Sequence, residues 1–363
     1  MKTRAFRMAQ VLGIVASLTI LEGCETTQER ARQQATKRWN IARAEIKVKL
    51  ASDQFAAGNV AAAADELAEA SRLNPEHQEF VPLQARIWLA QGKLAAATEL
   101  LEQSRLNGGS QPETEYLLGI ARQQQQRWHD ALASFLRAAE LDTDEVAYVV
   151  AAAQTWLQLG EPLEALALLT DRVSRFGWTN AYQAALAECH EQTGNWTAAA
   201  SAWQRVAAAA PNDLEVQNRL AAALYGAERY SEASDVLQQV LDQGQSPSTN
   251  RWRLMLAKCL LMDARSDAAR THVQDVLHDE PDNVRALRLL ARCWGEAGEY
   301  SVALRAVRQA LAIDETDAET LELAAGLAWR AGERPAARAL ARQLVNHDPG
   351  NAVARHILQA SGS

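Results

Sequence analysis

The feature that most constrains this chain is an internal repeat of 34 residues. "QFAAGNVAAAADELAEASRLNP" (54–75), "ECHEQTGNWTAAASAWQRVAAAAP" (188–211) and "RCWGEAGEYSVALRAVRQALAID" (292–314) share one frame. Units starting at 44, 78, 112, 146, 180, 214, 250, 284 and 318 keep that frame, with one insertion of two residues around Ser248 and Thr249. A fixed period of this length means that each unit is one small supersecondary element that buries its apolar side only against its neighbours.

Two places in the unit are always small. The eighth holds Ala51, Ala85, Gly119, Ala153, Ala187, Ala221, Ala257, Ala291 and Ala325; the twentieth holds Ala63, Ala97, Ala131, Ala165, Ala199, Ala233, Ala269, Ala303 and Ala337. Small residues twelve places apart let two antiparallel helices approach closely where their axes cross. Gly58, Gly92, Gly160, Gly194, Gly298 and Gly332 occupy the fifteenth place, where a first helix must end in a left-handed residue. Repeats three and six lack that glycine. Pro75, Pro211, Pro281 and Pro349 fall at place thirty-two, where a second helix stops; Pro162 and Pro335 fall at the start of second helices, where a missing amide hydrogen is harmless. Ala is abundant, which favours helix because it loses no side-chain entropy there. The expectation is an all-α protein of helix–turn–helix units.

This pattern resembles the tetratricopeptide repeat family over residues 44–351. Large residues fill the other signature places: Trp88, Trp156 and Trp294 at eleven, Trp128, Trp196, Tyr230 and Tyr300 at seventeen, Phe135 and Trp203 at twenty-four. The resemblance implies a right-handed superhelix, an α-solenoid of about nine repeats. Residues 352–363 then read as a C-terminal capping helix and tail, covering the apolar face of the last unit.

The N-terminus carries a different signal. Lys2, Arg4 and Arg7 precede an uncharged, mostly apolar run from Val11 to Leu21, too short to span a bilayer, which needs about 17–25 residues. Leu21-Glu22-Gly23-Cys24 resembles the bacterial lipoprotein box, in which the cysteine is acylated and the peptide before it removed. Residues 1–23 are thus expected to be a signal peptide, Cys24 the lipidation site, and 24–43 a polar tether leading into a helix that starts near Thr27 as its cap. The implied location is the bacterial cell envelope, membrane-anchored and facing the periplasm. The alternative is a soluble intracellular adaptor whose leader is not used for export.

Chemistry is not legible. No phosphate-binding loop, nucleophile elbow or dinucleotide fingerprint occurs, and "HEQTG" at 190–194 lacks the second histidine of a zinc helix. Cys189, Cys259 and Cys293 share the tenth place and read as buried thiols too far apart to pair. Neither an enzyme, a metal, a cofactor nor a small-molecule substrate is expected. The net charge of −8 makes nucleic acid a poor partner.

In the resembled family the first helices line a groove into which places 2, 5, 9, 12 and 13 point. Those places supply Arg251, Lys258, Arg285, Arg288 and Arg292 in repeats seven and eight, with Asn218 and Arg219 nearby on repeat six and Trp329 and Arg330 on repeat nine. Together they form the candidate partner-binding groove, suited to an acidic peptide segment because arginine forks match carboxylates. The alternative is a solvated face balanced by Glu188, Glu191, Glu319 and Glu322. The four-residue carboxylate clamp of one subfamily is not reproduced. The functional expectation is a non-enzymatic scaffold, lipid-anchored, that binds a polypeptide in its groove.

Overall fold

The computed structural model describes residues 2–75, 77, 79–243 and 249–360, and for residues 2–28 the backbone alone. Among the described residues there are nineteen helices and no strand. The chain divides into two compact units, Met1–Glu161 and Pro162–Ser363.

The first unit contains α1 (Lys2–Ala56), α2 (Val60–Leu73), α3 (Phe80–Ala90), α4 (Leu94–Gly108), α5 (Pro112–Gln124), α6 (Trp128–Leu141) and α7 (Val146–Leu159). The second contains α8 (Pro162–Phe176), α9 (Asn180–Gln192), α10 (Trp196–Ala209), α11 (Leu214–Gly226), α12 (Tyr230–Asp242), α13 (Thr249–Met262), α14 (Ser266–Asp279), α15 (Val284–Glu296), α16 (Tyr300–Ile313), α17 (Ala318–Arg330), α18 (Arg334–His347) and α19 (Ala352–Ala360). Within each unit consecutive helices pair as antiparallel hairpins and each hairpin stacks on the next, an α-solenoid arrangement.

The small places are where the helices meet. All seventeen alanines at places eight and twenty have no exposed surface. The eighteenth position, Gly119, has a sharper reason to be small. A Cβ there would overlap the ring edge of the buried Phe135 on α6, far closer than van der Waals contact. Phe135 in turn touches Tyr116 at 5.6 Å between ring centres, and Tyr116 touches Tyr148 on α7 at 5.0 Å. In this repeat the bulk sits on the second helix, so the first helix gives up its last methyl.

Each hairpin turn places one residue in the left-handed region. The six glycines at place fifteen have φ between +71° and +81°. Repeats three and six use Gln126 (φ 61°) and Glu228 (φ 59°), and repeat seven also lacks the glycine, using Ala264 (φ 58°). A side chain there costs about 1–2 kcal/mol. The turn holds because its hydrogen bonds are unchanged: Gln126 N–H donates to Gln123 O (2.9 Å) and Arg127 N–H to Arg122 O (2.8 Å), as Gly160 does to Leu157 (3.1 Å) and Glu161 to Trp156 (2.9 Å). The next hairpin is started by polar caps. Asp213 accepts from the amides of Glu215 (3.0 Å) and Val216 (3.3 Å), and Asn283 from Ala286 (3.0 Å).

One expectation is corrected. Thr27 does not cap a helix, because α1 is continuous from Lys2 and Thr27 lies in its interior. The tryptophans differ in burial. Trp203 and Trp252 are buried, whereas Trp39 and Trp178 are exposed, and several others are half-buried with a cation or glycine on one face, as Arg270 stands 4.2 Å above Trp294. The boundary between the two units falls inside the fourth 34-residue interval, between α7 and α8. At the C-terminus α19 buries Ala354 and Ile357 against the last hairpin, as a cap should.

Gly119→Ala is expected to destabilise the first unit by about 1–3 kcal/mol through overpacking, measured by urea unfolding. Phe135→Leu in the same chain should recover part of that loss, because it vacates the volume the new methyl needs.

Candidate functional site

The site lies wholly in the second unit. Arg251 and Lys258 stand seven residues apart on α13, and Arg285 and Arg292 repeat that spacing on α15, each exactly one 34-residue period further on. Seven residues is two turns, so each pair lies along one helix face, and stacking of adjacent hairpins sets the two rows side by side. Arg288 sits between Arg285 and Arg292 on the same face.

All five side chains line one open cavity of about 930 Å³. Its apolar surface comes from Tyr225, Leu254, Met255 and Leu289, and the Lys258 ammonium lies 4.4 Å from the centre of the Tyr225 ring. Asp279, Glu280 and Glu319 are its carboxylates. Two of them are committed elsewhere. Glu280 accepts from Asn250 (2.9 Å) and Asn283 (2.6 Å), bonds that hold its carboxyl below the usual range, and Asp279 faces Arg253 at 3.4 Å.

The cations are not equivalent. Arg288 is only 19% exposed and is clamped by Asp317 (2.9 Å) and Glu319 (2.6 Å), so its charge is spent inside the protein. Arg251, Lys258, Arg285 and Arg292 are exposed, and among the described residues none has a carboxylate within 4.0 Å. Four unneutralised cations therefore face one concavity.

The remaining groove residues do not join them. Arg219 turns to Glu191 (3.3 Å) and Glu215 (3.2 Å), and the Glu191 carboxylate also accepts from the Trp203 indole at 2.7 Å. Asn218 is half-buried and outside the cavity lining. Burial raises the carboxyl of the neighbouring Glu188 above its usual range, with Arg219 opposing. Trp329 is covered by the Arg334 guanidinium 3.4 Å above it and meets His356 edge-on, so it packs within the last hairpin and its cap. Arg330 lines a second cavity of about 760 Å³, which shares Arg292 and Glu319 with the first and mixes the apolar side chains of Leu261, Met262, Leu323, Leu327 and Val353 with the carboxylates of Glu296 and Glu322.

Sequence reasoning missed that second cavity. Its one local signal is Gly326, a glycine in the middle of α17 where helix propensity disfavours it. A Cβ at Gly326 would meet nothing within 4 Å, so packing does not require the glycine, and it keeps the cavity floor open. Tyr225 and Leu254 occupy groove places twelve and five and were findable by register.

Residues 48–110 match one tetratricopeptide repeat family model, and residues 190–253 and 224–293 match another. Those stretches carry tetratricopeptide repeats. No curated protein matches it. Similar solved structures include a tetratricopeptide repeat protein from Parabacteroides merdae, with 13% identity over 69% of this chain and 99% of that one at a TM-score of 0.46. PilW, a widely conserved type IV pilus biogenesis factor, has 19% identity over 58% and 96% at a TM-score of 0.48. YrrB, a repeat protein with an unusual peptide-binding site, has 15% identity over 53% and 97% at a TM-score of 0.39.

Cys189, Cys259 and Cys293 are buried within first helices of the repeats and unpaired. Burial pushes their thiols up to about 12, about 11 and about 11 respectively. The side chain of Cys24 lies outside the described residues. Among the described residues no helix is long and apolar enough to cross a membrane.

Thiols so buried hold almost no thiolate at pH 8, where a free cysteine with a pKa near 8.5 holds roughly a quarter. Alkylation of the native protein by iodoacetamide at pH 8, mapped by peptide mass spectrometry, should modify these three at least ten times more slowly than after unfolding in urea.

Proposed function

We propose that this protein is a non-enzymatic scaffold that holds an acidic segment of a partner polypeptide between α13 and α15, with an apolar side chain of the same segment in the cavity beside α17. One observation carries the reading: four cations that have no carboxylate within 4.0 Å among the described residues converge on a single concavity in a chain whose net charge is −8. Spare charge held in place by two stacked helices is preorganised, so little ordering is left to offset binding. Guanidinium forks on a concave wall suit carboxylates, and the field is focused there. Tetratricopeptide repeat proteins are in general scaffolds, which agrees with this use of the fold.

We further propose that Cys24 is acylated and that the chain works at a membrane of a bacterial envelope, facing the periplasm. The support is the order of basic residues, apolar run and Leu-Glu-Gly-Cys in the sequence. Two acyl chains anchor stably whereas one alone is marginal.

The groove is tested by crosslinking in the native cell and quantifying the captured partner with Arg285→Glu/Arg292→Glu. Loss of two charge-assisted contacts at about 1.5–3 kcal/mol each should reduce capture more than tenfold with the helical circular dichroism unchanged; undiminished capture removes the proposal. Arg288 is left intact, because reversing it would strand Asp317 and Glu319. Gly326→Leu provides a variant of opposite stability: it should raise stability by up to about 1 kcal/mol, since a helix-interior glycine is disfavoured, while weakening capture by filling the cavity.

The anchor is tested separately by fractionating cells that carry wild type or Cys24→Ser. After a high-salt wash that releases electrostatically held protein, a shift of the variant from the membrane to the soluble fraction is expected if Cys24 is acylated, and equal partition of the two proteins would favour the intracellular adaptor.

A further inference from the structure

The part of α1 that precedes and begins the first hairpin presents an apolar stripe to solvent. Trp39, Ile46 and Leu50 are 64%, 67% and 38% exposed. At about 100° per residue they fall within roughly 40° of one line, and they span about 16 Å along the helix. This line is opposite the face on which Ala44, Val48 and Ala51 bury themselves against α2.

Register shows that such a face is normally covered. Ile46 and Leu50 occupy places three and seven of repeat one. At place three the later repeats have Phe80, Thr114, Tyr148, Tyr182, Val216, Trp252, Ala286 and Thr320, and at place seven they have Gln84, Leu118, Ala152, Leu186, Leu220, Leu256, Leu290 and Ala324; none of these is exposed. The stripe is therefore a stacking face, and on α1 it extends past the hairpin to Trp39.

Charge decides what covers it. Residues 29–49 hold seven basic side chains and only two acidic ones, Glu29 and Glu45, in a chain that is acidic overall. Lys47 is bound to Glu66 (2.5 Å) and Glu69 (2.9 Å). The other six are exposed, and among the described residues none has a carboxylate within 4.0 Å. Arg43 flanks the stripe on one side, Arg38 and Lys49 on the other. A second copy seated on this stripe would bring basic rows against basic rows. A tryptophan and branched aliphatic residues bordered by arginine and lysine are instead the composition of a helix that lies in the boundary of an anionic bilayer.

We infer that the Trp39–Ile46–Leu50 face of α1 binds the surface of an anionic lipid bilayer, with Arg38, Arg43 and Lys49 on lipid phosphates. The contact does not depend on the peptide groove or on acylation of Cys24. Where an acyl chain is present, it supplies a second membrane signal and lays the start of the array flat on the lipid.

The test uses the full chain carrying Cys24→Ser, so that acylation is absent, and co-flotation with vesicles of phosphatidylcholine alone or with about 30% phosphatidylglycerol. Partition to the anionic vesicles should be at least about tenfold higher and should fall with salt. Trp39→Ser/Ile46→Ser and Arg38→Glu/Arg43→Glu, all at exposed positions, should each lower it about tenfold with circular dichroism unchanged. The leader is common to every protein compared. Equal flotation of wild type and variants would overturn the inference. So would sedimentation showing, without lipid, a dimer that the same variants dissociate, since the stripe would then be an interface between copies.

Discussion

Every hairpin in this protein depends on two helix backbones coming close enough to share one buried seam. That approach is possible because each seam has a methyl group, or nothing, where the axes cross. All seventeen alanines at the two crossing places have no accessible surface, and the one glycine faces a phenylalanine ring. Larger residues there would push the helices apart, and the aromatic and aliphatic side chains around the seam would lose their contacts together. Because the seam recurs every 34 residues, the same side chain recurs in the same place on successive helices. The cationic site is a consequence: Arg251 and Arg285, and Lys258 and Arg292, are equivalent residues brought into register by stacking.

Stacking also separates charges that the sequence treats alike. Arg285, Arg288 and Arg292 sit at comparable places on one helix, but Arg288 falls opposite the start of the next first helix, where Asp317 and Glu319 neutralise it. Arg219 meets the same fate through Glu191 of the preceding repeat and Glu215 of its own helix. The cations left over define the site more narrowly than their types do. The same logic applies to repeat one, whose stacking face on α1 stays exposed and carries its own basic border.

The periodic small residues, turn residues and prolines made the hairpins legible, since each reports a local requirement that any such unit must satisfy. The tolerance of Gln126, Glu228 and Ala264 at a left-handed place was less visible. It follows from unchanged hydrogen bonds across the turn, which outweigh a modest local strain. The groove was legible in part. Five of the nine candidate residues converge on one cavity, Arg330 lines its neighbour, Asn218 lies outside the lining, and Arg219 and Trp329 are drawn into other contacts.

By itself the sequence determined that this chain is helical, that its helices pair with a 34-residue period, and which side chains face a neighbour, because spacing along a helix fixes direction around it. Only the tertiary structure decided which charges are spent and which are spare. It also decided that Gly326 leaves room in the floor of a second cavity, and that the chain divides into two compact units between α7 and α8. Ion pairing between repeats depends on distances of a few ångströms between residues about thirty positions apart, and those distances are set by how hairpins stack.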